Sequence, residues 1–262
     1  MKMKIASQIQ NVLTAIVLIL VLLYATGDVF ARAGGGGGHS GGGGSHSYSS
    51  GRHGHYRRPA TALENFIGSV CIGLFGLSFL MIGLGNLNLY RLINKKSGEA
   101  SGMLNRIKNA DPSWDPDRIR DRVRKTYFSV QRAWMARNQD IAKEFMSEKL
   151  YAKHKIMTDA MIARHEKNIL DEIELLDSKA VSVEDHSGGD HDILWIYITG
   201  SMIDYKINDA TGDIIKGDRS KKEKFNELWK FIKNSQGEWI LDEIKTNVAA
   251  SEFNKFKAVS EI

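Results

Sequence analysis

Residues 192–208 read DILWIYITGSMIDYKIN and carry the strongest β-strand pattern in the chain. β-branched and aromatic side chains, which favour strands, fill this stretch. Its apolar residues alternate between two faces, with Ile193, Trp195, Tyr197 and Ile203 on one and Leu194, Ile196, Ile198 and Met202 on the other. A strand that is apolar on both faces must be covered twice. We expect helices to cover one face, and the C-terminal stretch 248–259, a partner or a second copy to cover the other.

Further strand patterns flank this stretch on both sides. Residues 169–183 are rich in β-branched side chains, whereas 225–234 and 239–244 show alternating large apolar positions. Turn-forming residues separate these stretches at 186–190, 209–213 and 235–237. Consecutive strands joined by short turns predict an antiparallel sheet.

Three helices are predicted before the strands. The first follows Asp115 and Pro116, and its apolar positions repeat every three or four residues, at Ile119, Val123, Tyr127, Val130 and Trp134. The second and third are predicted at 141–151 and 154–167. Helices followed by hairpin-linked strands indicate the α+β fold class.

The N-terminus resembles a secretory signal peptide. Lysines in the first four residues precede a 14-residue, largely apolar run at 12–25, and Ala31 and Ala33 supply a small-x-small cleavage site. Residues 1–33 are therefore predicted to be a signal peptide cleaved after Ala33, or an uncleaved N-terminal membrane segment.

A low-complexity loop comes next. Residues 34–62 are rich in glycine, serine and histidine, a composition that costs too much backbone entropy to order, and we predict a disordered loop. Its histidines could bind metal only with a fixed geometry, which such a loop does not supply, so we predict no metal site at His39, His46, His53 or His55.

A transmembrane helix is predicted at 63–89. Residues 66–84 contain 19 consecutive uncharged residues, which is long enough to cross a bilayer. If the signal-like start exports the loop behind it, this span returns the chain, with Arg91, Lys95 and Lys96 on the inner side. The predicted location is the cell (inner) membrane, single-pass after signal cleavage, with the C-terminal domain in the cytoplasm. A linker at 90–112, a folded domain at 113–250 and a C-terminal tail or short helix at 251–262 complete the organisation.

Charge and cysteine content exclude some classes of protein. The formal net charge is +5, but residues 1–62 alone carry a net +5 and residues 87–262 only a net +1. A folded domain so close to neutral argues against nucleic-acid or ribosome binding. The single cysteine, Cys71, excludes an internal disulfide framework.

An ordered set of short motifs runs along residues 113–245. The set comprises Trp114-Asp115-Pro116, Gln131-Arg132-Ala133-Trp134, Asp204-Tyr205-Lys206-Ile207, the stretch 225–231 (FNELWKF) and the stretch 239–244 (WILDEI). It resembles the Tim44-like domain family, which comprises the C-terminal domain of the mitochondrial presequence translocase subunit and its bacterial membrane-anchored relatives. The resemblance implies a cone like that of nuclear transport factor two, in which a curved antiparallel sheet wraps helices around an apolar pocket.

The resemblance also implies a function. It indicates a membrane-anchored, non-enzymatic binding or scaffold domain that acts in protein translocation or membrane-protein assembly. The expected partners are membrane lipid, a protein of the translocation or chaperone type, and a second copy of the chain. No cofactor is predicted. Large apolar groups are expected to line the pocket, namely Trp195 (or its neighbour Leu194), Trp229, Phe231, Trp239 and Leu241.

The alternative function is a membrane-tethered enzyme of the isomerase or dehydratase type. It would need an acid or base with a shifted pKa inside the pocket. The candidates are Asp204, Tyr205, His154 and His165. We expect both histidines to be solvated on charged helices and Asp204 to be exposed or bonded to the backbone, so no catalytic residue is predicted.

Basic residues on the first predicted helix have two interpretations. Arg118, Arg122 and Lys125 could contact anionic headgroups, since residues 87–130 carry a net +5. Alternatively, neighbouring acids such as Asp117 and Asp121 pair with the basic residues and leave a solvated surface.

Overall fold

The computed structural model describes residues 87–187 and 192–261. The helices are α1 (87–107), α2 (Pro116–Ala136), α3 (Glu148–Ala163) and α4 (Ala250–Phe253), with 3-10 turns at Pro112–Trp114 and Gln139–Phe145. The strands are β1 (Glu166–Asp185), β2 (Ile193–Asn208), β3 (Ile214–Lys233), β4 (Trp239–Lys245) and β5 (Ala258–Ser260). They form one sheet in the order β4-β3-β2-β1-β5.

The strand that dominates the sequence pattern lies at the centre of this sheet. β2 pairs antiparallel with β1 and β3, β3 pairs antiparallel with β4, and only the short β5 adds parallel to β1. The β1–β2 ladder shifts register at three places, and such bulges bend a strand and increase its twist. The sheet therefore has a concave and a convex face, and the predicted α+β class is confirmed.

α2 fills the concave face. Its N-cap is Asp115, whose side chain accepts hydrogen bonds from the first-turn backbone, and Pro116 suits the first helical position. The predicted apolar stripe is buried in the structure, from Ile119 to Trp134. Arg137 ends the helix in the left-handed conformation, at φ 52°.

The second and third helices were placed wrongly from the sequence. Residues 139–145 form a 3-10 turn, and one helix, α3, runs from Glu148 to Ala163. Ser147 starts α3 by accepting a hydrogen bond from the Leu150 backbone, a local cap that the apolar spacing did not reveal. No helix breaker occurs between Tyr151 and His154, so the helix continues without a break.

The stretch predicted as a linker, 90–112, is mostly helical. α1 covers 87–107 and buries Ile93, Ala100, Met103, Leu104 and Ile107. Gly98 and Gly102 lie inside this helix, where each costs about 1 kcal/mol relative to alanine.

The C-terminal segment covers the convex face. Phe253 and Phe256 are buried against Trp195, Val181 and Leu228. This outcome agrees with the first of the covers expected for the second apolar face, although the helix there has only four residues.

Among residues 87–187 and 192–261, no helix is long and apolar enough to cross a membrane. The predicted signal segment, glycine-rich loop and residues 66–84 of the predicted span lie outside the described residues.

Candidate functional site

Four of the five predicted pocket residues form one wall on the concave face. Trp229, Phe231, Trp239 and Leu241 are all buried and belong to the main core cluster. The rings of Trp229 and Phe231 lie 6.4 Å apart. Alternating positions on adjacent strands point to the same face, which is why the four meet.

Helices pack directly onto this wall. The Tyr127 ring of α2 lies 5.6 Å from the Trp229 ring, and Trp114 meets Trp239 edge-on at 4.7 Å. The wall therefore forms the centre of a packed core.

Trp195 does not belong to the wall, which corrects the prediction. Its neighbour Leu194 faces the concave core, whereas Trp195 points to the convex face and stacks near Phe256 at 5.4 Å. Side chains alternate across a strand, so only one of these neighbours can face α2.

A buried carboxylate beside Trp229 was missed from the sequence. Glu227 is completely buried on β3 and accepts a hydrogen bond of 2.8 Å from the Trp229 indole nitrogen. Its position two residues before Trp229 places it on the same face, so strict alternation would have identified it.

The residues considered as catalytic acids or bases each contact a different residue. Asp204 is half-buried and accepts a hydrogen bond of 3.2 Å from the Asn168 side chain, whereas a backbone partner or exposure was expected. His165 is exposed and lies 3.3 Å from Asp209. Tyr205 lies under the Arg219 guanidinium, at 5.7 Å.

His154 is buried, which corrects the expectation that it is solvated. It is 3% exposed and meets the Trp134 ring edge-on at 5.4 Å. Burial, together with the nearby charge of Lys153, lowers the pKa of His154 to about 4. The histidine is therefore neutral at physiological pH.

A buried lysine joins separate parts of the domain. Lys233 Nζ lies 2.6 Å from Asp192 and 2.9 Å from Asp111, and above the rings of Trp114 and Trp239. Burial alone would lower the pKa of Lys233, but hydrogen bonds to both carboxylates outweigh burial and raise it. The ammonium group thus links the 3-10 turn that precedes α2 to the β1–β2 and β3–β4 hairpins.

The three basic residues of α2 that were predicted to contact lipid headgroups differ in whether their side chains are free to do so. Arg118 and Lys125 are exposed. Arg122 is not available as predicted, because its guanidinium donates to the backbone carbonyls of Trp239 and Glu144, at 2.7 and 3.0 Å. Its carbonyl partners lie far along the chain, so no local sequence pattern could show them.

A small cavity lies between α1, α2 and the β1–β2 ladder. Its volume is about 160 Å³, well below the roughly 300–1,000 Å³ of drug-sized ligand sites. Its lining mixes apolar residues such as Ile119 and Ile196 with polar and charged ones, among them Ser97, Ser101, Arg120 and Lys179. None of the predicted wall residues lines this cavity.

Within the described part of the chain, no group of three histidine, cysteine, aspartate or glutamate residues could hold a metal ion. The histidines of the glycine-rich loop lie outside that part.

The curved sheet and the helices packed into it define an α+β domain with a filled aromatic core. Residues 100–246 match the Tim44-like domain family, and this is more than half of the chain. The chain therefore belongs to the Tim44-like domain family.

Other comparisons add little. No curated protein matches the chain significantly. Among solved structures, the intermembrane space region of the chloroplast protein ARC6 is similar at 9% identity over 42% of this chain and 78% of that chain. The TM-score of 0.30 is too low to support a conclusion.

Proposed function

We propose that the protein is a membrane-anchored, non-enzymatic binding or scaffold domain on the cytoplasmic face of the cell membrane. The observation that carries this proposal is the Tim44-like match, which covers 100–246 and hence α2, α3 and the four long strands β1 to β4. The proposed overall shape is a cone like that of nuclear transport factor two. The proposed partners are a protein of the translocation or chaperone type and membrane lipid.

Residues 87–95 of α1 support the anchoring. In the sequence they follow closely on the uncharged stretch 66–84. Leu87 and Tyr90 are exposed by 53% and 61%, and a tyrosine next to an apolar stretch is typical of a membrane interface. The exposed Arg91 and Lys95 follow, as expected for the cytoplasmic side.

The packed concave face supports binding at outer surfaces. Trp229, Phe231 and Leu241 are completely buried under the helices, so a large ligand could enter only by displacing α2. We therefore propose that lipid contacts the outside of the domain, with Arg118 and Lys125 as the headgroup contacts. Each exposed basic group near an anionic surface contributes about 1 kcal/mol.

Photo-crosslinking in native membranes tests this function. A crosslinking amino acid placed at Arg118 or Lys125 of the full chain should form adducts with phospholipid, whereas one placed at Ile156 on α3 provides the control. A crosslinking pulldown of the same chain should recover proteins of the translocation or chaperone class. Adducts with neither lipid nor such proteins would overturn the proposal.

A further inference from the structure

α1 packs against two different parts of the domain. In its first half, Ile93 is buried in the convex cluster together with Phe253 and Phe256. In its second half, Ala100 and Leu104 are buried in the main core on the concave side. The two halves are therefore held by separate groups of side chains, although they belong to one continuous helix.

The junction between the two halves carries two glycines. Gly98 and Gly102 lie within the sequence KSGEASG (96–102), and glycine restrains a helical backbone less than any other residue. Both glycines are exposed. Among the described residues, a Cβ added to either one would meet no atom within 4 Å beyond its own helical backbone, so close packing does not require glycine there. We call residues 98–102 the hinge.

Packing beneath the hinge is incomplete. Ser97, Ser101 and Leu104 line the cavity of about 160 Å³ between α1, α2 and the β1–β2 ladder. Atoms that line a void have no packing partner on that side, so they resist a displacement of the helix less than close-packed atoms do. The hinge therefore combines a weak helical sequence with loose packing.

The C-terminal segment 250–257 holds the first half of α1 in place. The Lys96 ammonium group, just before the hinge, donates a hydrogen bond of 2.9 Å to the Phe256 carbonyl. The segment is itself fixed to β1, because the Ser182 hydroxyl bonds both the backbone N–H and the carbonyl of Lys257 at 3.0 Å. We call residues 250–257 the C-terminal clamp.

We propose that α1 is a hinged helix that the C-terminal clamp holds in one conformation. While the clamp is in place, the domain keeps a single orientation relative to residues 87–95. When the clamp is released, α1 bends within the hinge and its second half stays in the concave core. The clamp ends in small elements, the four-residue α4 and the three-residue β5, so its release requires local and not global unfolding.

The consequence for function rests on the proposed anchoring. If residues 87–95 follow a membrane span, the clamp sets how the domain is presented to the bilayer. The hinge itself depends only on contacts within the folded part of the chain. A wrong topology would leave the hinge intact, and a rigid α1 would leave the topology unchanged, so the two failures are distinguishable.

Distances between pairs of spin labels, measured by double electron-electron resonance on the full chain in detergent micelles, test the hinge. Cys71, the single cysteine, is first replaced by serine. Labels at Tyr90 and Lys153, both exposed, report the first half of α1 relative to the domain. Labels at Lys125 and Lys153 report the domain itself. With the clamp intact, each pair should give one narrow distance distribution.

Phe253→Ala combined with Phe256→Ala releases the clamp. The distribution for the 90–153 pair should broaden or split, because α1 then bends within the hinge, whereas the 125–153 pair should stay narrow. Val259→Ala is the matched control, since Val259 lies in the same C-terminal stretch but is 41% exposed, and it should leave both distributions unchanged.

Stiffening the hinge should reverse the effect. Adding Gly98→Ala and Gly102→Ala to the released variant should restore the narrow 90–153 distribution, because alanine favours the helix and meets no neighbour. An unchanged 90–153 distribution in the released variant would overturn the role of the clamp. Broadening that persists after the alanine substitutions would overturn the hinge. Broadening of the 125–153 pair would show that the convex cluster belongs to the main core, which would also overturn the proposal.

Discussion

The two faces of β2 are both apolar, but they are covered in different ways. On the concave face, the 21-residue helix α2 packs against the aromatic wall in one continuous core. On the convex face, the cover comes from Phe253 and Phe256 in a short C-terminal segment, together with Ile93 of α1. A three-residue strand, β5, attaches that segment to the sheet. The comparison indicates that global stability resides on the concave side, whereas the convex cover can detach locally.

The largest expected effect is on the concave side. Trp229→Ala should lower the free energy of unfolding by about 3–5 kcal/mol, because it leaves a cavity at a completely buried position. Denaturant unfolding of the full chain in detergent, followed by circular dichroism, measures the effect. A loss below about 1 kcal/mol would show that the wall lies outside the stable core.

The next effect concerns the buried lysine. Lys233→Met should cost about 3 kcal/mol, because Asp192, which is 1% exposed, would lose its countercharge. Adding Asp192→Asn should restore part of the stability, since the buried charge is then removed as well. If the double variant is as unstable as the sum of the two single variants, the ion pair is not the cause.

The pH dependence tests the burial of His154 beside the concave core. The pKa of His154 is lowered from about 6.5 to about 4 in the folded state, so only the unfolded state takes up a proton between these values. The contribution of neutral His154 to the free energy of unfolding is fully present above about pH 6.5 and is lost as the pH falls toward about 4. From pH 7 to pH 5 this lowers the free energy of unfolding by roughly 2 kcal/mol. Comparing His154→Gln with the wild type in denaturant at both pH values measures this difference. If the stability of His154→Gln depends on pH as strongly as that of the wild type, the lowered pKa of His154 would be contradicted.

The smallest effect is expected on the convex face. Phe256→Ala should reduce global stability by only about 1 kcal/mol, because the C-terminal segment can detach before the domain unfolds. Hydrogen exchange of the backbone amides around Phe253 should accelerate, whereas that of α2 should stay constant. A global loss as large as that of Trp229→Ala would remove the distinction between the two faces.

The sequence predicted the elements whose pattern is strong and local. The central strand, the buried stripe of α2 and the in-phase aromatic wall all follow from a period of two or about 3.6 residues. α1 was missed because Gly98 and Gly102 weaken its pattern and its apolar residues find partners only in the folded core. A fragment that begins at residue 113, where the motifs begin, would lack the buried Ala100, Met103 and Leu104.

The site was predictable only in part, because contacts between residues far apart in the sequence determine which side chains face the core and which are exposed. The choice between Leu194 and Trp195 depends on which face α2 covers, and the availability of Arg122 depends on carbonyl groups of Glu144 and Trp239. Glu227 shares the phase of Trp229 and Phe231 on β3, so alternation alone would place it on the concave face.

Topology tests the central claim, a binding domain anchored on the cytoplasmic face, most directly. Alkaline phosphatase, which is active only outside the cytoplasm, is fused to the full chain after Ile262 and, separately, within residues 40–50. The account predicts an inactive C-terminal fusion and an active loop fusion, since the predicted span at 63–89 returns the chain to the cytoplasm. An active fusion after Ile262 would contradict the cytoplasmic location of the folded domain.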